Sequence, residues 1–463
     1  MSKFETEDER WAYNAEDCVR TRECGEVESQ SIKGMGLDQV NAFQQELFWP
    51  VLWAMQRGVR IDLKARADMA LTLMDELSKR AEFFNYLLGH NLNPASPKQM
   101  QALFYNDLGI PPIMVRTDKG MRPTLNDKAL EIVKLKEPLT LGLINGIQEH
   151  RSLKVFLSTF VQAPLDIDQR MRCSYNICGT ETYRFSSSKN AFDTGANLQN
   201  IPKGGAWSKE PDALVLPNIR KIFIPDPGMT FFDMDLDRAD LQVVVWESGE
   251  AEFKDILRSG ADVHAINAKE MKISRQLAKS WVHGTNYGGG PRTMAQTCGL
   301  TFHTADQMRK RWFSIHPGIA KWHARTEEQL RTKHYVENKF GYRRYYFDRI
   351  EGLLPEALAW IPQSTVACVI NRAWVNLFNS LGARGRGVVE VLLQVHDSLA
   401  GQFPTELTAE LLPLIKAKSA ITVPYDDPLI IPTGIKISTK SWGAVGCPAC
   451  GAKEGHEDGC AEG

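Results

Sequence analysis

Four acidic side chains recur at short intervals in Phe231-Phe232-Asp233-Met234-Asp235-Leu236-Asp237-Arg238-Ala239-Asp240. A strand repeat of two would set Asp233, Asp235 and Asp237 on one face, beside large apolar neighbours. Carboxylates crowded against a core repel one another and lose hydration, so they call for a cation or a basic partner. Hard oxygen donors with no Cys or His beside them suit Mg²⁺. A further acid, Asp397, lies between two apolar runs, 388–395 and 399–403, which read as a strand–turn–strand unit with the acid at its tip. Two such acids brought together could hold a pair of ions about 3.5–4 Å apart and promote in-line attack on phosphorus. The plainer alternative is a strand end frayed into solvent.

The second constellation is Arg275, Lys279, His283 and Tyr287, spaced by four residues. On a helix they form one slowly drifting stripe, two cations followed by two flat rings. That order fits a nucleoside triphosphate, with cations at the phosphates and rings at the sugar and base. The run Gly288-Gly289-Gly290 should end this helix. The third constellation is the tail, where Cys447, Cys450, His456 and Cys460 form C-x2-C-x5-H-x3-C with glycines at the turns. Four soft ligands so close together resemble a small zinc knuckle, a module that touches single-stranded nucleic acid. A disordered tail is the competing reading.

The elements that would position these groups are legible in outline. Apolar residues Leu63, Ala67, Ala70, Met74, Leu77, Ala81, Phe84 and Leu88 alternate in steps of four and three. They predict a long helix with Asp62 as N-cap and Gly89 just past its end, packed along a second helix within 127–162. Ser96 should cap a short helix beginning at Pro97. Residues 163–230 are irregular and carry Arg184, Lys189, Lys203, Arg220 and Lys221, a loop composition suited to a polyanion. Residues 229–236 read as a strand, and 250–385 as mostly helical. Tyr13 and Asp17 would share one face of a helix.

Composition sets the outer bounds. The chain has 463 residues, 43% hydrophobic, with 55 basic against 56 acidic side chains. This suits about three globular units and excludes wholesale disorder. No run approaches about 18 apolar residues, so no membrane span or membrane partner is expected. The acidic start shows no secretory signal, and nine mostly isolated cysteines fit a reducing cytosol. A cytoplasmic location is therefore expected, in the host cytoplasm if the source is a phage.

Taken together, these motifs resemble the A family of DNA polymerases, the group of bacterial DNA polymerase I and its phage relatives. The resemblance runs from about residue 45 to 442. Asp235-Leu236-Asp237-Arg238-Ala239-Asp240-Leu241 is similar to the first palm motif, residues 275–288 to the fingers helix, and Gln394-Val395-His396-Asp397 to the last palm motif. Supporting matches are Tyr183-Arg184-Phe185-Ser186-Ser187, Asn197-Leu198-Gln199-Asn200-Ile201-Pro202, Gly260-Ala261-Asp262-Val263-His264 and Ser96-Pro97-Lys98-Gln99.

The resemblance implies an α+β right-hand fold with an antiparallel palm sheet and largely helical fingers and thumb. It implies Asp235, Asp397 and the Leu236 carbonyl as ligands of two Mg²⁺, with Arg275, Lys279 and His264 at the triphosphate. Lys279 would also act in catalysis, offsetting charge on the departing pyrophosphate. Tyr287 would lie by the templating base, His283 by the sugar and Asp240 at the sugar gate. Arg184 and Gln363 would meet the duplex minor groove and His396 the primer end; Arg220 is added as a basic contact to DNA. Implied partners are primer–template DNA and dNTPs.

The implied partition is an exonuclease remnant at 1–29, a lead-in to the palm at 30–62, the thumb at 63–162, palm at 163–249 and 386–442, fingers at 250–385, and the zinc-knuckle tail at 443–463. Three positions depart from the family pattern. Asp240 stands where Glu is usual, His283 where Phe or Tyr is usual, and Ser398 where Glu follows His-Asp. The first predicts easier acceptance of ribonucleotides. The last keeps a single-subunit type of RNA polymerase among the alternatives. Tyr13-Asn14-Ala15-Glu16-Asp17 resembles the third motif of a 3′–5′ proofreading exonuclease. The earlier acidic motifs have no room upstream, so proofreading by this chain alone is not expected. A separate exonuclease or replisome protein could complete a split replicase; a non-catalytic DNA-binding subunit is the remaining alternative.

Overall fold

A computed structural model describes residues 6–118, 120–207, 214–347, 350, 352–449 and 451. Its organising element is a four-stranded antiparallel sheet in the order Glu390–Val395, Ser398–Pro404, Met229–Leu236, Thr433–Ser438. The Met229–Leu236 strand suits the interior of the sheet because Phe231, Phe232, Met234 and Leu236 are buried across its two faces, with Asp235 alone exposed near its end. Phe232 stacks on Phe403 of the neighbouring strand at 5.9 Å between centroids. Helices cover the sheet, among them Thr408–Ser419, which buries Leu411 and Ile415.

The 63–162 region has a core of its own. Asp62 accepts from the Ala65 amide at 2.9 Å and starts the helix Leu63–Leu88, which Gly89 ends at φ +73°. As the sequence indicated, the partner is a later helix, Leu141–Val155, tied by Arg80 to Glu149 at 2.7 Å. Phe84, Phe104, Leu130, Ile144 and Ile147 close a separate hydrophobic cluster at the far end. The apolar seam differs from its sequence reading. Leu63 and Met74 are exposed, while Leu73, outside the seam, is buried. A helix of 3.6 residues per turn drifts off a seven-residue repeat, and without a supercoiled partner nothing corrects the drift. Ser96 caps Pro97–Gln101 as expected.

The 239–380 region is helical, joined by one hairpin, Tyr335–Glu337 with Arg343–Tyr345. Its axis is Leu354–Ser380, buried along most of its length despite Pro362. Trp281, Trp312, Trp322, Trp360 and Trp374 are fully buried and join this region to the sheet in one core. At the other end of the chain, Glu7–Gly34 is a single helix with no buried residue, so Tyr13 and Asp17 lie on solvated turns. No helix among the described residues is long and apolar enough to cross a membrane.

Candidate active site

The sheet register brings the two key acids together. Asp235 pairs with Ser398, and Leu236 with Thr433 on the other side. Asp397 therefore sits one residue past Asp235's partner, and the Leu236 amide donates to the Asp397 carbonyl at 3.3 Å. Asp235 is itself exposed near the end of its strand, and Asp397 lines the cleft described below. Partial desolvation, then repulsion from Asp397 and Asp233, lifts the Asp235 carboxyl to about 7. Burial likewise pushes Asp397 upward. Both shifts mark negative charge that the protein leaves under-compensated.

The turn that presents Asp397 is built from a buried polar chain. His396 adopts φ +58°, a left-handed conformation uncommon for a non-glycine residue, in a two-residue connection between Val395 and Ser398. The Gln394 side-chain amide donates to the His396 carbonyl at 2.7 Å, and Gln199 donates to Gln394 Oε1 at 2.7 Å. The Tyr175 hydroxyl accepts from the Gln394 amide at 3.1 Å. Gln394 and Gln199 are buried, so each bond replaces water the site cannot supply.

Facing the acids is the helix Arg275–Asn286, started by Ser274, which accepts from the Leu277 amide, and terminated beyond Tyr287 by Gly288 at φ +77°. Arg275, Lys279, His283 and Tyr287 all line a cleft of about 840 Å³ together with His264, Asp240 and Asp397. The stripe grades from exposed cations to a largely buried phenol, with His283 and Tyr287 edge to face at 4.6 Å. Arg275 is held by Asp262 at 2.7 Å. His264 has its Nδ1 buried without a partner, and burial together with Arg275 lowers its basicity. Burial, followed by the nearby Asp240 carboxylate, raises the Tyr287 phenol. Arg184 reaches Asp240 at 3.4 Å, while its Nε is buried and unpaired.

The remaining sequence candidates fall into three groups. Arg184 and His396 lie near Asp397, and Arg184 and Arg220 both lower the His396 imidazole after burial does. Gln363 is the sole position between Trp360 and Asn371 that is not buried. Arg220, however, points inward: its guanidinium lies 3.9 Å over the Trp442 ring and 3.6 Å from Asp233. Asp233 also accepts from the Trp442 indole at 2.9 Å. The three-acid platform is thus corrected to the pair Asp235 and Asp397. Asp233 is engaged by Trp442 and Arg220. Asp237 lies past the strand end, where Arg238 at φ +48° turns the chain and binds its carboxylate at 2.7 Å. Cys450, His456 and Cys460 lie outside the described residues, and Cys447 is buried.

Two contributors were missed from sequence. Arg238 lines the cleft and donates to the Ala261 carbonyl at 2.9 Å; its unusual backbone carried no sequence signal. Trp442 acts across more than two hundred residues, a contact that local patterning does not reveal. Among the described residues no cluster of three or more His, Cys, Asp or Glu could hold a metal. Asp235 and Asp397 nonetheless fit a divalent cation: two neighbouring hard oxygen donors, under-compensated, the second of them lining the cleft.

A family model described as DNA polymerase family A matches residues 64–443. The thermostable DNA polymerase I of Thermus filiformis is 30% identical over 401 residues, covering 82% of this chain and 45% of that protein. DNA polymerase I of Pseudomonas aeruginosa is 26% identical over 408 residues, covering 83% and 42%. The chain thus spans somewhat under half the length of these curated relatives. Among solved structures, the POL domain of Pol1 from M. smegmatis, in complex with DNA primer-template and dNTP, superposes with a TM-score of 0.75 at 22% identity, covering 90% of this chain and 73% of that one. That likeness speaks for the fold, an α+β polymerase architecture. With the family model matching most of its length, the chain belongs to DNA polymerase family A.

Proposed function

We propose that this protein is a DNA-directed DNA polymerase that adds dNTPs to a primer 3′-hydroxyl. The observation that carries this reading is the register placing Asp397 beside Asp235 below a wall bearing Arg275, Lys279, His283 and Tyr287. Asp235, Asp397 and the Leu236 carbonyl would hold Mg²⁺, which when bound activates the primer hydroxyl and screens the triphosphate. Arg275, released from Asp262, and Lys279 would grip the phosphates and offset charge on the departing pyrophosphate. His264, with an unpaired ring nitrogen in the cleft, would add a hydrogen bond. Tyr287 and His283 would flank base and sugar, and Asp240, steadied by Arg184, would form the wall under the sugar. Arg184, Gln363 and His396 would contact the primer–template.

In this reading 63–162 is the thumb, 250–385 the fingers, and 163–249 with 386–442 the palm, reached through 30–62. Residues 1–29 carry one nuclease-like motif, Tyr13-Asn14-Ala15-Glu16-Asp17. A zinc knuckle at Cys447, Cys450, His456 and Cys460 rests on spacing alone; metal analysis after dialysis, with Cys447→Ser and Cys450→Ser, tests it. Primer extension with each dNTP, each rNTP and a dideoxy terminator, with and without Mg²⁺, tests the whole. Mg²⁺-dependent, template-matched dNTP addition supports the assignment, and its absence removes it.

A further inference from the structure

The turn that ends the Met229–Leu236 strand is pinned on both sides. The Asp237 amide donates to the Pro432 carbonyl at 2.9 Å, and the Asp237 carbonyl accepts from the buried Gln242 side-chain amide at 2.7 Å. Arg238 follows in a left-handed conformation, φ +48° and ψ +37°, before the helix Ala239–Ser248. Its Nε and Nη2 donate to one Asp237 carboxylate oxygen at 2.9 and 2.7 Å, and its Nη1 donates to the Ala261 carbonyl at 2.9 Å. These bonds use three of the five N–H groups that a guanidinium carries. Two donors remain, on a side chain that is 25% exposed and lines the cleft.

The neighbours of Arg238 fix its place along the cleft. Ala261 precedes Asp262, which holds Arg275 at 2.7 Å, and Arg275 begins the stripe that ends at Tyr287. About 18 Å of helix separates those two ends, at 1.5 Å per residue. His264 follows in the helix Val263–Met271, and its imidazole is lowered first by burial, then by Arg275, with further contributions from Lys279 and Arg238. Three cations therefore gather at the Arg275 end of the cleft. Two of them, Arg275 and Lys279, sit on one helix, whereas Arg238 belongs to the end of the sheet. Arg275 has to leave Asp262 before it can grip a phosphate. Arg238 can keep both of its partners and still donate.

We propose that Arg238 is a specificity-determining contact for the γ-phosphate of the incoming nucleotide, a fixed cation supplied by the sheet. The inference rests on the polymerase reading above and adds a residue to it. A guanidinium held in one orientation loses little freedom when it donates to a phosphate oxygen, so the contact is favourable from the first encounter. A nucleoside diphosphate, one phosphate shorter, would stop before this group, and Arg238 would therefore favour the triphosphate over the diphosphate. The competing role is a brace that only ties the turn to Ala261. A brace would need the carboxylate of Asp237 as much as it needs Arg238, whereas a phosphate contact would be strengthened without that carboxylate.

The test uses the full chain in steady-state primer extension opposite a template adenine, with dTTP varied and dTDP as competing inhibitor. Arg238→Gln should raise KM for dTTP about tenfold, the scale of one charge-assisted hydrogen bond, with kcat held within about twofold. Its inhibition constant for dTDP should stay within about twofold of wild type, because the diphosphate never reaches the group. Arg238→Lys, which keeps the charge, should hold KM within about threefold. Asp237→Asn leaves the Arg238 charge uncompensated and should lower KM. Unchanged KM in Arg238→Gln, a KM as high in Arg238→Lys, or a KM raised equally by Asp237→Asn overturns the role of Arg238. An equal loss of dTDP affinity overturns the choice of the γ-phosphate. Failure of the wild type to extend the primer at all removes the polymerase reading instead, so the two failures are told apart.

Discussion

Asp235 stands opposite Ser398 in the antiparallel register, and this places Asp397 alongside it although 162 residues separate them in the chain. Asp235 is the penultimate residue of the central strand, and Asp397 occupies the two-residue turn His396-Asp397, whose His396 carbonyl is held by Gln394. The spacing of the two carboxylates is therefore fixed by backbone pairing, the least deformable device a sheet offers.

That dependence makes Gln394 a positioning residue. Gln394→Ala removes the donor to the His396 carbonyl and strands the Gln199 amide. We expect a loss of about 1–3 kcal/mol in stability and a fall in the rate of incorporation with little change in primer–template affinity. Gln394→Glu should restore little, because it cannot donate to the carbonyl. Urea unfolding and single-turnover kinetics on the same preparations read both effects.

Asp240 sets sugar selectivity in this account. Its carboxylate is 3.4 Å from Arg184 and forms a wall one methylene shorter than Glu would. Asp240→Glu should raise discrimination against rNTP about tenfold or more, the usual worth of a methylene in a fitted pocket. Equal ratios of dNTP to rNTP incorporation in wild type and variant would refute this.

In the proposed reading Arg275, paired with Asp262, would exchange it for the triphosphate. Asp262→Asn keeps the cap on Val263–Met271 but releases the guanidinium, so KM for dNTP should change while primer–template binding stays constant. Arg275→Ala should raise KM by about tenfold, the scale of a charge-assisted bond. Steady-state kinetics with dNTP as the varied substrate distinguishes the two.

Acid should loosen the helical region before it touches the sheet. Burial lowers both His316 and His323 to about 4, from an ordinary 6.5, and the His323 Nε2–H donates to the Asn286 carbonyl at 2.9 Å. Above pH 6.5 both states are neutral and the full stability is present. As pH falls from 6.5 toward 4 the unfolded chain takes up protons that the folded chain refuses, so stability drops by about 1.4 kcal/mol per pH unit for each imidazole. The raised carboxyls of Asp235, Asp397 and Glu247 act with the opposite sign over the same range, so the histidine share is read as a difference: urea midpoints between pH 7.5 and 5 should fall less, or rise more, in His323→Gln than in wild type. Identical pH dependence in the two proteins would contradict the assignment.

Much of this site was legible because its signals are local. Alternation exposed the Met229–Leu236 strand, flanking apolar runs exposed the Asp397 turn, and steps of four exposed the Arg275–Tyr287 stripe. What escaped was long-range or depended on backbone shape. Arg220 looked like a surface cation because Trp442, which covers it, is remote in sequence. Asp237 shared a period with Asp235 but not a strand, since Arg238 turns the chain in a conformation its residue type does not announce. The Leu63–Leu88 seam failed at Met74 because a seven-residue repeat holds its face only in a coiled coil. The hairpin at Tyr335–Tyr345 went unforeseen within a region read as helical.

The most direct measurement is single-turnover nucleotide incorporation by Asp235→Asn, Asp397→Asn and the double variant, with primer–template affinity determined in parallel. If the two carboxylates act as one unit, each single change should reduce incorporation to background, the double should be no worse, and DNA affinity should hold within about threefold. Substantial incorporation by either single variant, with the protein folded and DNA bound, would contradict the account.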